Sequence, residues 1–315
     1  MLKRTCTCGE TRKENAGEEI VLSGWINTYR DQGKGLVFID LRDRYGLTQV
    51  VFDAEDTTPE VMEIGASLRR EDVISVKGIV RIREGKPNAK LTTGDIELVA
   101  KEIEVINRTA KLPILPDDHD ADKIGEEHRL KYRYIDLRRP KMQEILKLRH
   151  KITQFTRNFF ADNDFLEIET PLLITPTPEG ARDFIVPSRH QSGQWYALPQ
   201  SPQIFKQILM VAGCDKYLQI CKCLRDEDPR ADRQAEFTQI DLEMSFVDQD
   251  DILEIMSEFA SRLYKEVGGI DLGELPQMSW KDAMDNYGSD RPDIRFDLQL
   301  RDVTELASKT EFKVF

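Results

Sequence analysis

Through the first third of the chain, apolar and polar residues alternate with a period of two. Residues 19–29 (EIVLSGWINTY), 35–43 (GLVFIDLRD), 47–53 (LTQVVFD), 72–82 (DVISVKGIVRI) and 96–106 (IELVAKEIEVI) are β-rich. They are separated by turn residues such as Asp31-Gln32-Gly33-Lys34-Gly35 and Lys86-Pro87-Asn88. From residue 141 the period lengthens: Ile145, Leu148, Ile152, Phe155 and Phe159 recur at steps of three and four, which predicts a long helix with one face in a core.

Five short strands at this spacing predict a small barrel of the OB type over residues 1–106. On the second strand Val37, Ile39 and Leu41 share one face, and Phe38, Asp40 and Arg42 share the other. An aromatic among charges on a barrel strand suits stacking of unpaired bases, with Arg30, Gln49 and Glu97 as polar neighbours. Pattern alone leaves packing of Phe38 under a loop equally open. Residues 107–131, with Pro113, Pro116 and the acidic Asp117-Asp118-His119-Asp120, read as a linker or hinge.

Beyond the long helix, Phe165 to Pro171 reads as a short strand ended by proline. The loop TPTPEGARDF after it sets Glu179 beside Gly180. Residues 198–213 predict a helix with Ser201 as N-cap, Pro202 at its first position and Gly213 as its stop. Gln203 and Lys206 then lie on one face near a helix N-terminus, which suits a carboxylate ligand, although a solvated lysine is the commoner fate.

In KYLQICKCLRDE (216–227) alternation sets Gln219, Cys221, Cys223, Arg225 and Glu227 opposite Leu218, Ile220 and Leu224. In FTQIDLEMSF (237–246) Phe237, Gln239, Asp241, Glu243 and Ser245 share a face. The two read as an antiparallel pair. Its charged face is either a polar cleft or a solvated sheet surface.

Composition narrows the class. The 315 residues suit two domains or more, and the net charge of −12 argues against coating nucleic acid by bulk positive charge. Residues 1–110 balance to −2, leaving −10 for the rest, so a nucleic-acid surface on the barrel stays open. No apolar run suits a bilayer and no secretory signal follows the basic start, which predicts a cytoplasmic protein with no membrane role. Cys6, Cys8, Cys214, Cys221 and Cys223 are too few and too uneven for a disulfide framework. Neither Cys-x-Cys pair has zinc-knuckle spacing, so free thiols and no metal site are expected.

The strings LRDED-x-RADRQ-x-EFTQID (224–241), LPQSPQ-x-FKQ (198–207), ETP (169–171) and KYRYIDLRRP (131–140) resemble bacterial-type aspartyl-tRNA synthetases, which are class II enzymes. The resemblance runs along essentially the whole chain. It implies an α+β multidomain protein: an OB-fold anticodon-binding barrel (1–106), a hinge (107–131), part of an antiparallel catalytic sheet flanked by helices (132–287), and the start of the bacterial insertion domain (288–315). It implies ATP-dependent activation of L-aspartate and its transfer to tRNA(Asp), with tRNA(Asn) a second acceptor in some members. The ATP carries Mg2+, and no tightly bound cofactor is implied.

By the same resemblance Arg225 and Glu227 are catalytic. Glu179, Ser201, Gln203, Lys206, Arg225 and Asp241 bind aspartate, with Lys206 facing its side-chain carboxylate. Arg225, Glu227, Gln234 and Phe237 bind ATP, and Arg30, Phe38, Gln49 and Glu97 read the anticodon. Pro171 belongs to the interface of a homodimer. The family also has a glycine-rich strand and a γ-phosphate arginine, whereas Gly268, Gly269, Gly273 and Gly288, the glycines after Gly213, form no such motif. The reading is therefore of a fragment inactive alone, with a shortened tRNA-binding paralogue as the alternative, and of a chain that stops after an apolar-alternating strand start at Phe315.

Overall fold

The computed structural model describes residues 2–117, 119 and 123–311. The chain divides into two compact units, Met1–Ile145 and Leu146–Phe315.

The first unit is a closed barrel of β1 (Glu19–Asp31), β2 (Leu36–Arg42), β3 (Leu47–Asp53), β4 (Val73–Ile82) and β5 (Ile96–Asn107), in the order β1-β2-β3-β5-β4. All neighbours are antiparallel except β3 and β5. Period-two alternation explains the closure. Val37, Ile39, Leu41, Val50, Phe52, Ile74, Val76 and Leu98 fill the interior, and closing the ring removes sheet edges. Helix α1 (Pro59–Ala66) packs by Gly65 against Phe52, where a Cβ would meet the ring at 2.7 Å.

The expected hinge is partly helical: α2 (Glu126–Lys131) lies within it and α3 (Arg133–Asp136) follows. Of the acidic run there, Asp118 and Asp120 fall outside the described residues. Arginines tie this stretch down. Glu71, buried and at φ +65°, accepts hydrogen bonds from Arg42 and Arg138, both at 2.9 Å. Asp136, fully buried, accepts from Arg139 at 2.9 Å and from Arg133. Burial opposes the charge on Asp136, but its bonds to Arg139 and Arg133 outweigh it and hold the carboxyl below its ordinary range.

In the second unit, β9 (Lys216–Leu224) and β10 (Glu236–Met244) form the expected antiparallel pair, with Gln239 opposite Cys221 and Asp241 opposite Gln219. The strand expected over 165–171 is only β6 (Leu166–Glu167), parallel to β9, because the chain turns away before Pro171. A hairpin of β7 (Ile185–Pro187) and β8 (Trp195–Ala197) stands apart. The core lies between the sheet and two helices, α4 (Pro140–Asp162) and α6 (Gln249–Gly268). There Phe159, Phe160, Phe165 and Phe259 pack with neighbouring ring centroids 5.0–5.3 Å apart, and Leu218 joins the cluster. Asp248 caps α6 with a capping box, and Gly269 ends it in the left-handed region that glycine favours.

Two sequence expectations change here. Only the last turns of α4 are buried, and Ile145 and Leu148 are exposed at 49% and 45%, so the apolar stripe runs past the core it was expected to fill. Helix α5 (Gln203–Val211) has Pro202, not Ser201, at its N-cap, because the Ser201 hydroxyl is used elsewhere. Its stop is as expected, with Gly213 at φ +85°. Helices α7 (Trp280–Tyr287) and α8 (Thr304–Ala307) occupy the C-terminal stretch, and the expected strand start runs into residues 312–315, outside the described residues.

Replacing Asp136 with Asn removes the fully buried carboxylate that meets Arg133 and Arg139, the latter with its side chain only 5% exposed. The variant is expected to lose about 3 kcal/mol in denaturant unfolding. In the native chain this contribution is present above the ordinary carboxyl value of 3.8 and fades as pH falls below it.

Candidate functional site

The second unit gathers most of its predicted residues along one face of β9 and β10 and the loops at their ends. Lys206, on α5, is buried, with Nζ 2.8 Å from Asp241 Oδ1 and 3.3 Å from Glu243 Oε2. The solvated lysine is thereby excluded. Burial by itself would lower the Lys206 pKa, but the Asp241 bond and the two negative charges raise it, so the ammonium is fixed as a cation. The second oxygen of Asp241 is buried without a partner.

Glu179 is held from both sides, by Ser201 Oγ at 2.7 Å and Thr177 Oγ1 at 3.2 Å. Gln203 opens α5 one turn before Lys206 and is half-buried. Beyond the ends of the strands, Arg225 lies over the ring of Phe237 at 5.1 Å, and its buried Nε has no partner. Arg225, Glu227, Gln234 and Phe237 line a cavity of about 460 Å³, the size of a small-molecule pocket. Arg225 and Glu227 are therefore loop residues past Leu224, not members of the strand face on which alternation put them. Among the described residues, Glu227 is held by Arg233 alone, at 3.5 Å.

Several contributors were not singled out by sequence. Gln200 is buried and binds Ala181 through both its backbone N–H and C=O, at 3.1 and 3.0 Å, which pins the loop after Glu179. The Asp226 amide bonds the Arg182 carbonyl at 3.0 Å, joining that loop to the cavity's edge. Tyr217 donates to Gln219 at 2.7 Å, and burial pushes its phenol up. Glu243 had the right alternation, and only the fold reveals it as a second partner of Lys206. Pro171 is exposed in the stretch that also exposes Leu172 and Leu173.

On the outer face of the barrel the structure brings together Arg30, Phe38, Gln49 and Glu97. Arg30 lies opposite Phe38 and binds both Asp40 oxygens at 3.0 and 3.2 Å, and Gln49 Oε1 at 3.1 Å. Gln49 donates to Glu97 at 2.8 Å, and Glu97 accepts from Arg81 at 2.8 and 3.0 Å. Gln49 and Glu97 are buried in this chain of bonds, not open as sequence suggested, whereas Phe38 is half-exposed.

Residues 125–313 match the family model described as tRNA synthetases class II (D, K and N), and residues 20–106 match the OB-fold nucleic acid binding domain. The chain belongs to the class II tRNA synthetases of this group.

An "Aspartate--tRNA(Asp/Asn) ligase" of Natranaerobius thermophilus is 52% identical over the whole chain, which spans 53% of that relative. An "Aspartate--tRNA ligase" of Clostridium botulinum is 50% identical, with 52% of its length spanned. The chain thus covers about half the length of these relatives. Among solved structures, asparaginyl-tRNA synthetase from Pyrococcus horikoshii complexed with asparaginyl-adenylate matches with a TM-score of 0.75 at 25% identity, over 86% of this chain and 59% of that one. The α+β class II fold with its OB domain is shared with these synthetases. The family uses ATP with Mg2+ in general. Among the described residues, no group of three His, Cys, Asp or Glu is placed to hold a metal, and no helix is long and apolar enough to cross a membrane.

Removing one charge of the Lys206 pair should cost more than removing both. Lys206→Met leaves Asp241 buried against Glu243 without a cation and is expected to cost about 3 kcal/mol in chemical denaturation, with part recovered in the Lys206→Met, Asp241→Asn double variant.

Proposed function

We propose that this chain supplies the recognition surfaces of an aspartate–tRNA ligase, which joins L-aspartate to ATP as an adenylate and then transfers it to tRNA(Asp). The observation that carries the reading is Lys206. An ammonium has three donors, and two are turned toward Asp241 and Glu243. The third would take the side-chain carboxylate of aspartate in a charge-assisted bond that an amide cannot equal. The bare oxygen of Asp241 is the complement for an α-ammonium group.

Phe237 and Asp241 share a strand face four residues apart, about 13 Å at 3.3 Å per residue. That separation suits an extended aminoacyl-adenylate, with its adenine on Phe237 and its amino acid between Asp241, Ser201, Gln203 and Glu179. Arg225, between ring and floor, would spread its charge over the oxygens of the α-phosphorus while the substrate carboxylate attacks in line and pyrophosphate departs. No protein nucleophile is needed. Gln234 and Glu227 complete the nucleotide end. Glu227, loosely held, is the carboxylate suited to the magnesium that ATP brings, which screens the phosphate charge.

On the barrel, Phe38 would stack an anticodon base. Asp40 and Gln49 hold Arg30 for a base edge, while Glu97 acts through Gln49. The Natranaerobius relative is named for tRNA(Asp/Asn), which keeps tRNA(Asn) as a second acceptor in this reading. The exposed Pro171, Leu172 and Leu173, with Leu148 on α4, support a homodimer, and the free thiols support a cytoplasmic setting.

Calorimetric titration of the chain with a non-hydrolysable aspartyl-adenylate analogue tests the assignment. Binding is expected at least tenfold tighter than for the asparaginyl analogue and at least tenfold weaker in Arg225→Ala, and equal affinity for the two analogues would overturn aspartate as the substrate. For the barrel, Phe38→Ala is expected to weaken an anticodon stem-loop by roughly 1–3 kcal/mol, the worth of one stacked base. An unchanged dissociation constant would mean that Phe38 packs without stacking.

A further inference from the structure

The second Cys-x-Cys pair has no part in the reading above. Cys221 and Cys223 lie two apart on β9, so both point to one face. Their sulfurs are 3.6 Å apart, and the residues are only 4% and 0% exposed. Across the ladder stand Gln239 and Phe237, and the Cys223 thiol donates to Gln239 Oε1 at 2.9 Å. The S–H···S contact lowers the Cys221 pKa against the opposing effect of burial, and with burial it raises that of Cys223.

Geometry decides what such a pair accepts. A direct S–S bond requires the sulfurs to close from 3.6 Å to about 2.05 Å, and two strand steps put the Cα atoms about 6.7 Å apart, at the upper end of the span that disulfides bridge. A single centre with bonds of about 2.3 Å and an S–centre–S angle of about 100–110°, whether a pyramidal trivalent arsenic or a tetrahedral metal, holds two thiolates about 3.5–3.8 Å apart, a range that includes the separation found. We infer that Cys221 and Cys223 form a dithiol site that chelates one thiophilic atom, trivalent arsenic or a soft divalent metal, on the face that also carries Asp241. Chelation costs Cys223 its bond to Gln239 and nothing from the Lys206 pair. With an arylarsine oxide the step is a condensation: two S–H bonds and the As=O bond break, two As–S bonds form, and one water leaves. No electron is transferred, so no oxidant is needed.

The test is intact-mass titration of the whole chain with phenylarsine oxide. One adduct is expected at one equivalent, mapped by proteolysis to the peptide holding Cys221 and Cys223, and removed by a dithiol but not by the same concentration of a monothiol. It is expected to vanish in Cys221→Ala and to persist in Cys6→Ala, which disables the other Cys-x-Cys pair. A second arm with Cd2+ alone should give thiolate-to-cadmium absorption in the native chain and lose it in Cys221→Ala. Mapping on the native chain keeps the result decisive if a variant fails to fold. The inference is overturned if no adduct forms, if it maps to Cys6 and Cys8, if it survives Cys221→Ala, or if diamide converts the pair to a disulfide as readily as the arsenical captures it.

Discussion

The second unit is organised by a charge that has to be neutralised. Lys206 enters on α5 with its ammonium almost out of water, and an isolated cation there would cost several kcal/mol. Two carboxylates from β10 meet it, which fixes the distance and rotation of α5 against the sheet. Pro202 and Ser201 precede that helix, so the same constraint positions the Ser201 hydroxyl, and with it Glu179. Gln200 extends the fixation by pinning the loop backbone, and the Arg182–Asp226 bridge carries it to the edge of the Arg225 cavity. The cleft is thus assembled around one buried ion pair, with one buried polar atom on each of Asp241 and Arg225 left without a hydrogen-bond partner.

The barrel solves a related problem by a different route. Its interior is apolar and closed, so its stability does not rest on the charged outer face. That face is freed to hold a continuous chain of bonds from Asp40 through Arg30, Gln49 and Glu97 to Arg81. Such a chain limits the rotamers of each member, so little further ordering of these side chains would be needed on binding a ligand. Phe38 stays half-buried beside it, outside the interior cluster.

Much of this was legible in the residues. The five barrel strands agree with their predicted bounds to within two residues, because alternation over a closed apolar core is a local signal repeated five times. The β9–β10 pair was legible for the same reason. The N-cap of α5 was misread because Ser201 has two uses for one hydroxyl, and the bond to Glu179 comes from 22 residues away. The long α4 stripe was read correctly as helix but too generously as core, since periodicity reports an apolar face without saying what covers it. Gln200 stood inside a quoted motif string with no role of its own to read, and Arg182 carried no signal, because a backbone carbonyl has no pattern.

The sequence by itself determined the elements, the barrel, the class II motifs and the identity of the charged residues, all of which depend on local period or on ordered strings. Only the tertiary structure decided which charges meet. It buried Lys206 between Asp241 and Glu243, set Arg225 over Phe237, turned Gln49 and Glu97 inward to each other, and brought two thiols within reach of one atom. The physical reason is that electrostatic worth depends on distance and burial, and for residues tens of positions apart neither exists until the chain has folded.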